Sequence, residues 1–115
     1  FNLYTLAMLC GTRLMPGLAG HVVMVEEVSE YLYSVDRLFF HVTAHLGGIA
    51  GLRLGRVSNV PENDAPFGHE AEAIARHWCA RHRPHRQPTV RATKCRGRRP
   101  APRRPPQAEA LQRRA

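Results

Sequence analysis

Apolar residues recur at two different periods along the first two thirds of the chain. Leu3, Leu6, Ala7 and Cys10 fall at i, i+3, i+4 and i+7. That spacing predicts a helix over residues 2–10, with Gly11 placed to end it. Pro16-Gly17 and Gly20 mark a loop. Val22 to Val25 is then an unbroken apolar run that leads into Glu26 and Glu27. A short Val-rich run of this kind predicts a strand over residues 21–28, buried on both faces. Ser34 is a candidate N-cap for a second helix over residues 34–46, on which Val35, Leu38, Phe39, Val42 and Leu46 form one stripe. Gly47-Gly48 stops that helix. Residues 52–60 read as a second strand, in which Gly55 marks a bulge or a close backbone approach. After a polar loop, residues 69–81 predict a third helix with Ala71, Ile74, Ala75 and Trp78 inward. The order α, β, α, β, α implies an α/β fold: a small parallel sheet flanked by helices, with the second helix as crossover.

At His82 the pattern stops. Residues 82–115 show no hydrophobic period and hold six of the nine prolines. Such a segment cannot bury enough apolar surface to offset its ordering entropy, so a disordered tail is expected. Charge divides at the same place. Residues 1–81 carry six Arg against eight acids, whereas residues 82–115 carry eleven basic residues against one Glu. The net charge of +8 is therefore a property of the tail. The expected organisation is one modest α/β core over residues 1–81 and a basic Arg/Pro-rich tail over residues 82–115. The start at Phe1 suggests a piece of a longer protein. No apolar run is long enough to cross a membrane, and no secretory signal pattern is visible, so the default location is cytoplasmic. Cys10, Cys79 and Cys95 make neither a disulfide framework nor a CxxC pair.

Three kinds of chemistry are worth weighing. Glu26 and Glu27 stand at the carboxyl end of a predicted strand, where open α/β sheets bind ligands. Carboxylates there are either held for chemistry or simply begin a solvated loop. His77, Cys79, His82, His85 and Cys95 supply metal-ligand types, but their spacing fits no zinc signature and Arg lies among them. No metal or other cofactor is expected. The tail could neutralise phosphates non-specifically, yet no aromatic is interleaved in it for base stacking.

Taken together, NLYTLAMLCGT, LAGHVVMVEEVSEYLYSVDRLFFHV and LRLGRVS resemble the C-terminal half of the LD-carboxypeptidase family, that of muramoyltetrapeptide carboxypeptidases and microcin self-immunity proteins. The matching features are Asn2-Leu3, Gly11, Glu26-Glu27-Val28-Ser29-Glu30, Tyr33, Asp36-Arg37 and Leu54-Gly55. Two positions depart from the family pattern: Glu27 stands for an Asp, and Ser29 for a Gly in a turn that favours positive φ. The resemblance implies a serine peptidase with a Ser-His-Glu triad that removes the terminal D-alanine from murein tetrapeptide, and a homodimer when complete. It maps the triad carboxylate onto Glu26. Its Ser belongs to an N-terminal half before Phe1, and its His follows a Gly beyond the third helix. Glu27 and Glu30 are expected to be structural or substrate-facing. Tyr33, Asp36 and Arg37 are expected to hold their helix to its loop. Asp36 and Arg37, adjacent in sequence, should each bond elsewhere. The chain alone is expected to be inactive.

The motif match stops at Arg81, where a short strand and a Gly-His are due. Neither is legible in residues 82–115, whose Arg, Pro, Ala and Gly are typical of GC-rich codons read out of frame. A frame-shifted C-terminus from about His82 is therefore one expectation; a genuine basic tail is the other.

Overall fold

The computed structural model describes residues 1–82 and 89–92. Helix α1 spans Leu3–Leu9. It is shorter than the apolar period because the flanking residues cap it. Asn2 is the N-cap, and its Oδ1 accepts from the Thr5 backbone N–H at 2.9 Å and from the Thr5 hydroxyl at 3.2 Å. Cys10 is the C-cap, and Gly11 follows with φ +78°, the left-handed position a glycine fills without strain. Leu3 and Leu6 are fully buried.

Strand β1, Val22–Val28, alternates. Val23, Val25 and Glu27 are buried, whereas Val22, Met24 and Val28 are exposed. The expectation of a strand buried on both faces is thus wrong. An unbroken run of Val and Met hides the period of two, because the outward positions are as apolar as the inward ones. Leu3 and Leu6 of α1, with residues from the two later helices, join Val23 and Val25 in one cluster. The other face of β1 has no such cover among the described residues.

Helix α2 runs Leu32–His45 with Tyr31 as N-cap and no side-chain capping bond. It starts before Ser34, which lies inside the helix rather than at its cap. Val35, Phe39 and Val42 are fully buried and Leu46 nearly so, while Leu38 is half-buried at the edge of the core. Thr43 is the polar exception on the buried side, and its hydroxyl donates to the Phe39 carbonyl at 2.6 Å, so its oxygen is not left unpaired.

Strand β2, Gly51–Ser58, pairs parallel with β1, Val22 opposite Gly51 and Val25 opposite Leu54. The register then slips, so that Glu27 faces Val57. Two residues of β2, Gly55 and Arg56, therefore stand against one of β1, Glu26: a bulge, as Gly55 suggested. A Cβ at Gly55 would lie 3.1 Å from the Val25 carbonyl oxygen and 3.4 Å from the Glu26 Cβ, so the strands approach closely because that side chain is missing.

Helix α3, Ala71–Arg81, buries Ile74, Ala75 and Cys79. Trp78 is half-buried, and its indole N–H donates to Asp36 Oδ1 at 2.7 Å, tying α3 to α2. The final element corrects the reading of the tail. Thr89–Ala92 forms strand β3, parallel to β2 with Gly51 opposite Thr89, and the sheet order is β1-β2-β3. This strand lies inside a segment expected to be disordered. The rest of that segment beyond His82 lies outside the described residues. The class is α/β, as expected, and the parallel sheet has three strands.

Candidate active site

Side chains on a strand point alternately to its two faces, so adjacent residues must part. Glu26 and Glu27 do so. Glu27 takes the inner face and is almost completely buried. A carboxylate there needs donors, and three are present. The Asn2 side-chain amide donates to Oε1 at 2.7 Å, the Tyr4 backbone N–H to Oε2 at 2.8 Å, and the Val28 backbone N–H to Oε1 at 2.9 Å. Tyr4 is in the first turn of α1, where backbone N–H groups have no partner within the helix and the helix dipole favours an anion. Asn2 and Glu27 therefore act as one joint. Asn2 caps α1 with its oxygen and holds Glu27 with its nitrogen, and Glu27 completes the cap from the sheet side. Glu27 is thus structural, one of the two roles the sequence allowed it. The missed role was that of Asn2, read as the first residue of the helix. An Asn directly before Leu3, the first residue of the apolar period, was the available signal for a cap.

Glu26 takes the outer face. It is half-buried, and no donor among the described residues contacts its carboxylate. Its backbone is nonetheless held on both sides. On one edge its N–H donates to the Phe1 carbonyl at 2.9 Å, and Asn2 bridges it in parallel. On the other edge lies the Gly55 bulge. This is a carboxylate on a fixed mount, with its oxygens unengaged among the described residues.

Beyond the strands, Ser29 and Asn59 both adopt positive φ, 65° and 51°, and the Ser29 N–H donates to the Ser58 carbonyl at 2.9 Å. The turn after β1 thus takes the left-handed conformation although it carries Ser where the family pattern has Gly, at some conformational cost. A cleft of about 710 Å³ opens past the carboxyl end of β2, lined by Leu32, Val57, Val60, Phe67, His69 and Glu70 among others. Glu26 does not line it.

The remaining candidates separate from the site. Asp36 bonds Trp78, and Arg37 lies over the Tyr33 ring at 5.2 Å, so the adjacent pair does bond elsewhere. His77 and His82 both contact the Trp78 ring, and the buried His82 Nε2 has no hydrogen-bond partner. Of the metal ligands weighed in the sequence, His85 and Cys95 lie outside the described residues. Ligand atoms converge instead on a group that spacing alone did not suggest, Cys10 with His41 and His45. Burial pushes the Cys10 thiol pKa up, and a backbone hydrogen bond opposes this only in part. No helix among the described residues is long and apolar enough to cross a membrane.

A family model described as the LD-carboxypeptidase C-terminal domain matches residues 2–96. The matched span passes Arg81, where the legible motifs stop, and takes in β3. Residues 82–115 contain no Gly-His. No curated protein matches the chain.

Proposed function

Because the chain belongs to the LD-carboxypeptidase C-terminal domain family, we propose that it forms the carboxylate-bearing part of a serine peptidase acting on murein tetrapeptide, with Glu26 as the carboxylate. A serine hydroxyl attacks a peptide carbonyl only when a base takes its proton. A histidine serves as that base when a carboxylate accepts from its other ring nitrogen, fixing the tautomer and stabilising the imidazolium. Such a carboxylate needs a rigid backbone and oxygens not engaged elsewhere. Of the two acids at the end of β1, Glu27 has its oxygens engaged by Asn2, Tyr4 and Val28, and Glu26 has no donor to either oxygen among the described residues. That contrast carries the reading. The bond cut is the one to the terminal D-alanine, the completed enzyme is a homodimer, and its place of work is the cytoplasm, where released murein peptides are recovered. Residues 1–115 supply one triad member, and neither nucleophile nor base is matched within them, so the chain alone turns over nothing.

The test is Glu26→Gln in the intact enzyme, with terminal D-alanine release from murein tetrapeptide measured against peptide binding. The expected result is a collapse of kcat with binding retained. Near-normal turnover removes Glu26 from the triad.

A further inference from the structure

The cluster at the far end of α1 lies apart from Glu26 and belongs to no part of the proposed chemistry. We propose that Cys10, His41 and His45 form a binding site for a divalent transition-metal ion of the zinc class, clamping α1 to α2. The three ligand atoms, Cys10 Sγ and one nitrogen from each histidine, lie within 4.8 Å of one another. An ion bonded at about 2.0–2.3 Å holds its ligands roughly 3.3–3.7 Å apart. The closure required is about one ångström, within reach of side-chain rotation by two exposed histidines. His41 and His45 are one helical turn apart, so their shared face follows from α2 alone. Cys10 comes from a different helix, and its arrival at that face is a product of the fold.

Three further features suit an ion there. His45 Nδ1 lies 3.0 Å from the His41 carbonyl oxygen. A carbonyl can only accept, so in the neutral ring this contact puts the proton on Nδ1 and leaves Nε2 to ligate, the outer hydrogen bond typical of metal-bound histidine. Cys10 is the C-cap of α1, and His45 is the last residue of α2. The negative ends of both helix dipoles therefore meet at the cluster and favour a cation. Finally, two imidazoles and one sulfur form a borderline-soft donor set. It suits Zn²⁺ and Co²⁺ rather than Mg²⁺ or Ca²⁺, and leaves a fourth tetrahedral position for water. On binding, the thiol proton passes to solvent and the sulfur ligates as thiolate.

Cobalt(II) titration of the full chain under reducing conditions tests this, because a Co²⁺–thiolate bond absorbs in the near ultraviolet. The expected result is saturation at one equivalent, with the absorption displaced by Zn²⁺. It should disappear in Cys10→Ser and persist in Cys95→Ser. His45→Asn, which alters an exposed side chain and should leave the circular dichroism unchanged, should weaken Co²⁺ by roughly tenfold or more, the loss set by even an outer-shell partner. No thiolate absorption at all, absorption lost in Cys95→Ser but kept in Cys10→Ser, or an unchanged affinity in a folded His45→Asn would each overturn the site.

Discussion

The two faces of β1 use the same alphabet for different ends. On the inner face stand Val23, Val25 and Glu27; on the outer, Val22, Met24, Glu26 and Val28. Each face is apolar residues plus one glutamate. Inside, the apolar residues join the core and the glutamate is enclosed by three donors. Outside, the apolar residues are exposed and the carboxylate has no donor among the described residues. Composition therefore does not decide what a carboxylate does here. What decides it is the parity of its position along the strand, together with the α1 N-terminus lying against one face only.

The contrast can be broken most severely in catalysis. Glu26→Gln in the intact enzyme should lower kcat by about 10⁴-fold, the scale seen when a triad carboxylate becomes an amide. Glu27→Gln in the same enzyme should lower activity only in proportion to the folded fraction. Comparable kcat losses in two fully folded variants would erase the distinction between the faces. Next in size is the core that the inner face joins. Phe39→Ala, at a fully buried position, should cost about 3–5 kcal/mol in urea unfolding. A loss within experimental error would show that α2 does not pack through this stripe.

Glu27→Gln measures the inner carboxylate itself. Its amide turns one donor toward the backbone N–H groups that Glu27 now accepts from. A loss of about 1.5–3 kcal/mol is expected, the range for hydrogen bonds to charged groups, and hydrogen exchange should quicken in the first turn of α1 before it does in β2. The smallest effect belongs to the outer face. Met24→Thr should change stability by no more than about 0.5 kcal/mol, since the side chain is 54% exposed. A loss of several kcal/mol in the isolated chain would mean that this face is covered after all.

Much of this was legible in the sequence, for identifiable reasons. Helix periodicity placed α1, α2 and α3, because Leu, Val and Phe recur against polar neighbours. Gly55 announced the close approach of the strands, because only a missing side chain permits it. The alternation of β1 was hidden, since Val and Met fill both parities and nothing polar marks the exposed positions before Glu26. Strand β3 was hidden by composition: Thr89–Ala92, TVRA, is four residues set among Arg and Pro, too short for a period to show. The triad role proposed for Glu26 rests on family motifs. That Glu27 is engaged elsewhere required knowing which residues α1 brings to the strand, a contact 23 to 25 residues distant in sequence. The same holds for Cys10, which meets His41 and His45 only once α1 and α2 are packed.

The parallel register bears on how fast the molecule can assemble. Val22 first meets its partner at Gly51, and Gly51 in turn meets Thr89. No strand in this sheet pairs across a tight hairpin, so each ladder must wait for a crossover containing a whole helix to close. The Asn2–Glu27 joint adds another long closure before α1 gains its cap. Closing entropy is thus spent before contacts reward it, which places folding toward the slow end for a chain of this size. During that wait the apolar outer positions of β1 are exposed beside an unpaired edge, so refolding yield should fall as protein concentration rises.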